Sequence, residues 1–329
     1  MQELYPQTGV CFDHGNQAKL YMVYTLGCNA ACDHCLVESS PRRREKLELD
    51  VAKELLRVGA QFGKNFLDLG GGEIMLFPDE VYELARTAAD LGYYVSLNTN
   101  GFWGRTPERA RAVVGELQQA GVGAIFPSAS AYHLAYVSID RLKHIRQACR
   151  DLGMVYELNW VRSHRPETDA FIQTEMELDS ETIFPNSLTT AGNDAGTIEA
   201  LKVVYGSSVP DDIADCGSLQ LGVNPHGHVI GTCSMTNRNE KFAGTPLFIG
   251  NFHDTPFDEL LRAERDSAVL QFIYRNPHPA LHKRLIEDPS LGRYYQDTFG
   301  TRRYYSVVDY YIDVFRDERV MAGLDEALR

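Results

Sequence analysis

Between about residue 18 and residue 161 the chain alternates short β-branched or aromatic runs with stretches whose apolar residues recur at helical spacing. That alternation restricts the fold more than any other feature, because it is the pattern of βα units around a parallel sheet. The spacing predicts a first strand over Lys19–Thr25 and a helix opening at Asp50 as N-cap, with Val51, Leu55 and Val58 on one face. Phe66–Leu69 reads as the second strand, Gly70, Gly71 and Gly72 as its loop. A helix from Pro78 then buries Val81, Leu84, Ala85, Ala88 and Leu91 before Gly92 stops it. A third strand is expected over Tyr93–Asn98. Thr106 and Pro107 open a helix that ends at Gly121, and Val122–Ser128 forms a fourth strand. Ile139, Leu142, Ile145, Cys149 and Leu152 share one helical face, Val155–Val161 is a fifth strand, and residues 181–188 supply a sixth. Six units do not close an eight-stranded barrel, so the expected fold is α/β: an open, partial (β/α)6 TIM-like barrel.

Past residue 200 the pattern changes. Leu219–Val223 and His228–Thr232 read as a hairpin turned by Asn224, Pro225, His226 and Gly227, which begins a small C-terminal α+β extension. The division expected is an N-terminal arm (1–17), the barrel (18–200) and the extension (201–329). Tyrosines crowd the last stretch (Tyr294, Tyr295, Tyr304, Tyr305, Tyr310, Tyr311) and read as packing residues.

The bulk numbers narrow the function. With 329 residues, 44% of them hydrophobic, the chain has enough material for a substantial core. A net charge of −13 argues against a nucleic-acid partner, whose phosphates require clustered Lys and Arg. The basic run Arg42, Arg43 and Arg44 reads as a solvated loop. No apolar run of membrane-spanning length and no secretory signal pattern occur, so the expectation is a cytoplasmic protein without a membrane partner. Seven cysteines, three of them crowded together, fit a reducing compartment and metal-binding thiolates better than a disulfide framework.

Those three stand in YTLGCNAACDHCLV, where Cys28, Cys32 and Cys35 form C-x3-C-x2-C after the first strand. Thiolates so spaced can ligate three irons of a cubane cluster and leave the fourth open to a small molecule. The alternative is a zinc site with His34 as fourth ligand, although adjacent His34 and Cys35 make awkward joint ligands.

With the glycine loop added, the sequence resembles the radical S-adenosylmethionine (SAM) superfamily over about residues 18–190. In that family the same cysteine pattern follows the first strand of a partial (β/α)6 barrel. Gly71, Gly72 and Glu73 resemble its GGE motif, which implies contact with the amino group of SAM. Asn98-Thr99-Asn100-Gly101 is similar to its TNG segment, which puts Asn100 among the cofactor-binding candidates. Ser128-Ala129-Ser130 with His133 resembles a fourth-strand S-x-D-x-x-H segment, whose first serine approaches the ribose of SAM. Ser130 stands where that segment has aspartate. His133 has two readings, substrate positioning and capping of the next helix. Gly192-Asn193-Asp194 falls where many members have Gly-Arg-Ala. The resemblance implies a [4Fe-4S] cluster on Cys28, Cys32 and Cys35, SAM as cofactor, and an electron donor of flavodoxin or ferredoxin type. The reaction implied is reductive cleavage of SAM to a 5′-deoxyadenosyl radical.

Of the other cysteines, Cys149 reads as core and Cys11 carries no signal. Cys216, Gly227 and Cys233, with Ile249-Gly250-Asn251, resemble the start of the SPASM or twitch extension of the superfamily. Three readings follow: a degenerate extension without a cluster, an auxiliary cluster completed by His253 or His278, and a thiol that donates a hydrogen atom. The motif begins at residue 28, which leaves no room ahead of it for a leader-peptide-binding domain. With the short extension, this tilts the substrate towards a small natural-product intermediate of carbohydrate or aminocyclitol type, undergoing epimerisation, dehydrogenation or rearrangement. A ribosomal peptide is the alternative, and a non-catalytic Fe-S or zinc protein is the alternative of another class.

Overall fold

The computed structural model describes residues 18–160, 163, 165–177, 220–232, 242–276, 278–300, 302 and 307–328. Strand β1 (Lys19–Thr25) lies near the middle of its sheet, because it is apolar on both faces and has parallel partners on both sides. Strands β2 (Phe66–Gly71), β3 (Tyr94–Thr99) and β4 (Val122–Ala129) follow outward in sequence order, all parallel. The fifth strand is broken into β5 (Val155–Tyr156) and β6 (Asn159–Trp160), both paired to β4. Helices α1 (Leu49–Gln61), α2 (Pro78–Asp90), α3 (Pro107–Gln119) and α4 (Ile139–Leu152) connect them. The sheet is open, as an incomplete set of βα units requires. The expected sixth strand and the Gly192 segment lie outside the described residues.

The hairpin at Asn224 to Gly227 is present, as β7 (Leu221–Val223) and β8 (His228–Ile230) joined to β9 (Phe248–Asn251). It is not a separate layer. β7 pairs in parallel with β1, from Leu20 opposite Leu221 to Met22 opposite Val223, so the main sheet continues through it. The rest of the described C-terminal region is helical, and Tyr295, Tyr310 and Tyr311 are buried in its core with Val23 of β1.

Several local expectations are corrected. Glu48 is the N-cap of α1 and Asp50 lies in its first turn, where a carboxylate favours the helix dipole. Its buried face is Ala52, Leu55, Leu56 and Gly59, while Val51 is exposed. Leu91 caps α2 and is exposed, because the helix ends at Asp90 before that residue turns inward. Gly70 and Gly71 belong to β2, not to the loop, since the ladder with β1 runs on to Thr25 opposite Gly71. Thr106 does cap α3, its hydroxyl accepting from Arg109 N at 3.2 Å.

Strand alternation divides the sheet into two chemically different faces. Leu20, Met22, Leu67, Leu69, Val95 and Leu97 join the helices in one large core. The opposite face carries Tyr21, Asp68 and Ser96 in register, with Asn98 one step further on. There Asp68 Oδ1 accepts from Ser96 Oγ at 2.9 Å and from Asn98 Nδ2 at 2.5 Å.

Below the sheet, Lys64 at the foot of β2 meets Glu264 of α5 (Phe257–Asp266) at 2.7 Å, with side chains 3% and 5% exposed. Burial pushes the lysine down and the glutamate up, and each charge opposes the shift of the other. A buried pair is costly to break from one side, by about 3–5 kcal/mol, because the survivor is left uncompensated. Lys64→Met is therefore expected to lose stability on that scale in urea unfolding. Lys64→Met with Glu264→Leu should recover most of it, and equal losses in both variants would contradict the pairing.

Candidate metal centre

The candidate site is built on the segment that leaves β1 at Leu26 and returns at Leu47. Leu26 N donates to Glu45 O at 2.9 Å and Leu47 N to Tyr24 O at 2.8 Å, which closes the base of the loop. Inside it Cys28 N donates to Ser40 O at 3.2 Å, and turns follow from Cys35 N to Cys32 O and from Glu38 N to Cys35 O, both 3.1 Å. These turns gather the cysteines. Cys32 is buried with Ala30 and Tyr132, and Cys28 and Cys35, each half-buried, lie against the same group.

Burial raises all three thiols. Cys28 is pushed up to about 12, with Ala30 N–H and the Asn100 amide opposing the shift and the nearby Glu73 and Cys35 adding to it. Thiols raised in this way ionise more readily beside a cation, and three thiolates are a donor set that an iron-sulfur cluster takes. Among the described residues no three His, Cys, Asp or Glu side chains are grouped closely around one point. A cubane takes one thiolate per iron and spreads its ligands. His34 adds an unsatisfied atom to this wall: its Nδ1 is buried without a hydrogen-bond partner, and its ring stacks on Tyr132 at 4.5 Å.

The glycine loop is laced to the base of the cysteine loop. Gly72 N donates to Thr25 O at 2.7 Å and Glu73 N to Gly27 O at 2.9 Å. Only glycine permits this approach, because a Cβ at Gly72 would stand 2.1 Å from Gly27 O. At Gly71, with φ +137°, a Cβ would stand 2.4 Å from Thr25 O.

Glu73 is fully buried, and its carboxylate turns inward. It accepts from Met75 N at 3.0 Å, Thr99 Oγ1 at 2.9 Å and Asn100 N at 2.7 Å. Thr99 Oγ1 in turn accepts from Gly101 N and Trp103 Nε1, both at 3.0 Å. The carboxylate thus fastens the glycine loop to the end of β3. Asn100 is buried too, and its Nδ2 donates to Asn29 Oδ1 at 2.7 Å and to Cys28 Sγ at 3.8 Å. Gly71, Gly72, Glu73 and Asn100 are therefore brought together at the cysteine loop.

Ser128 is half-buried on β4, on the same face as Phe126, which stands opposite Asn98. Ser130 Oγ accepts from Tyr132 N at 3.2 Å and His133 N at 3.3 Å, and lies 2.8 Å from His133 Nδ1. His133 thus braces the turn after β4; its crowded surroundings push it down to about 4, and its ring meets the edge of His34 at 4.8 Å. Asn29 and Tyr132 are site residues the motif reading did not single out, and Thr99 is named there only as part of the TNG-like segment, without a role. Cys149 is core, as expected. Cys11, Cys216, Cys233 and the side chain of His278 lie outside the described residues; His253 is described, beside Gly227.

Comparison with known proteins follows the same segment. The family profile of the Radical SAM superfamily matches residues 22–148. YydG of Bacillus subtilis (strain 168), whose name assigns it to peptide biosynthesis, is 29% identical over 127 residues, 37% of this chain and 39% of that protein. The AdoMet-dependent heme synthase of Methanosarcina barkeri (strain Fusaro) is 41% identical over 99 residues, 30% of this chain and 27% of that protein. The chain thus spans less than two fifths of these relatives. A solved structure of anSMEcpe with bound AdoMet shares the fold, with a TM-score of 0.50 at 13% identity, over 94% of this chain and 97% of that one. Among the described residues no helix is long and apolar enough to cross a membrane.

Burial pushes Glu73 up to about 7 from an ordinary 4.5, which gives a signed prediction for the metal-free protein. Between those values the folded state holds a proton that the unfolded state has lost, so this group withdraws stability as pH rises through the interval. Glu73→Gln has no such proton. The stability of Glu73→Gln relative to wild type should improve from pH 4.5 to 7 by on the order of 3 kcal/mol in urea unfolding. A difference independent of pH would contradict a raised Glu73.

Proposed function

We propose, from the match of residues 22–148 to the Radical SAM superfamily, that the chain is a member which reductively cleaves SAM and abstracts a hydrogen atom from a bound substrate. The observation that carries the reading is the convergence of Cys28, Cys32 and Cys35 in one half-buried loop, laced by backbone contact to Gly71, Gly72 and Glu73. Those cysteines would hold a [4Fe-4S] cluster. Gly71, Gly72, Glu73, Asn100 and Ser128 line the expected SAM side, Glu73 through the loop it holds. A cluster held there would supply one electron, received from a flavodoxin- or ferredoxin-type donor, for the reductive cleavage of SAM.

The chain's own part is positional. The cysteine loop, the glycine loop and the end of β3 all stand at the C-terminal ends of parallel strands, the usual place for substrate in such folds. Tyr132 and His34 close one side. The sheet face opposite the main core is polar at Asp68, Ser96 and Asn98, with Asp68 and Asn98 half-buried, which supports a hydroxyl- or amine-bearing substrate of carbohydrate or aminocyclitol type. A peptide substrate is the second reading, favoured by the likeness of this segment to YydG. The division at 1–17, 18–200 and 201–329 is kept within this proposal, with the extension read as lacking an auxiliary cluster.

Anaerobically reconstituted protein given dithionite and SAM is expected to release 5′-deoxyadenosine, measured by chromatography. The Cys28→Ala, Cys32→Ala, Cys35→Ala variant should release none and retain no iron. Loaded wild-type protein that forms no 5′-deoxyadenosine would overturn the reading, and iron retained by the variant would establish a second cluster.

A further inference from the structure

Cys28 accepts hydrogen bonds of two kinds. One is local, from Ala30 N at 3.4 Å. The other crosses from the end of β3, where Asn100 Nδ2 stands 3.8 Å from Cys28 Sγ. Cys35, by contrast, accepts from Ser39 N within its own loop at 3.3 Å. Asn100 is held on every side that would let it swing away. Its N–H is bound by Glu73 at 2.7 Å, its Oδ1 accepts from Phe102 N at 3.0 Å, and its Nδ2 is shared with Asn29 Oδ1 at 2.7 Å. The side chain is 7% exposed.

We propose that Asn100 is a positioning residue that sets the reduction potential of the cluster through its amide hydrogen bond to Cys28. The inference rests on the cluster being held by Cys28, Cys32 and Cys35. Its physical basis is general: the reduced cluster carries one more negative charge, part of it on the thiolate sulfurs, and donors to those sulfurs stabilise it. Here the donor belongs to the loop that Glu73 fastens to the glycine motif. The electron acceptor and the expected SAM-binding loop therefore share one rigid connection. No bond is made or broken by Asn100; a one-electron reductant supplies the electron.

Two substitutions separate this role from a structural one. In Asn100→Ser the hydroxyl retains an acceptor for Phe102 N but is too short to reach Cys28. In Asn100→Asp the shape and that acceptor persist, the donor is lost and a negative charge is added. Midpoint potentials of the SAM-free reconstituted proteins, followed by electron paramagnetic resonance (EPR), are expected to fall in the order wild type, Asn100→Ser, Asn100→Asp. At the wild-type midpoint the reduced-to-oxidised ratio should be at least about threefold lower in Asn100→Ser, where a tenfold change corresponds to about 59 mV. Asn29→Ala, which removes only the competing acceptor, should leave the midpoint at or above wild type. Unchanged midpoints in both Asn100 variants with full iron and sulfide content would overturn the proposal, as would a fall in Asn29→Ala. A wild-type protein that binds no cluster would instead overturn the functional reading beneath it.

Discussion

The site depends on one buried carboxylate. Glu73 has no exposure, yet it takes hydrogen bonds from the backbone of its own loop and from the hydroxyl and backbone at the end of β3. Without it, the glycine loop and the Thr99–Asn100 segment would be two separate loop ends. With it, they form one piece, and that piece touches the cysteine loop through Gly27 O and Asn29. The cost of burying the group is visible in its raised proton affinity, and it is borne where a fixed arrangement matters for chemistry.

The barrel half of the fold was readable because each strand has an apolar helix-facing row and each connecting helix has its own punctuation. Thr106-Pro107 and Gly92 marked boundaries directly. Errors arose where a local signal competed with tertiary packing. Val51 fits the helical period, but the sheet lies under Ala52 and Leu56. Gly70 and Gly71 read as loop from their type, while pairing with β1 carries them into the strand. The parallel docking of β7 on β1 joins residues two hundred positions apart, and no local pattern announces such a pairing.

At the site, residue type and spacing identified the three cysteines, the glycines, Glu73 and Asn100 as neighbours. Orientation was not legible. The motif leaves open whether the Glu73 carboxyl or a backbone carbonyl of its loop would face a ligand, and the structure turns the carboxyl inward onto Thr99. Asn100 faces a cysteine as well as the loop beside it. One signal was available and unused: in β3 the polar residues Ser96 and Asn98 alternate with Val95 and Leu97, which marks a polar face opposite the core.

The central claim is that this loop holds a cluster with one iron open to SAM. EPR of the dithionite-reduced, reconstituted protein, recorded with and without SAM, tests it most directly. The account predicts a reduced-cluster signal whose shape changes when SAM is added and which is absent from the Cys28→Ala, Cys32→Ala, Cys35→Ala variant. A signal identical with and without SAM, or one that survives in that variant unaltered, would contradict it.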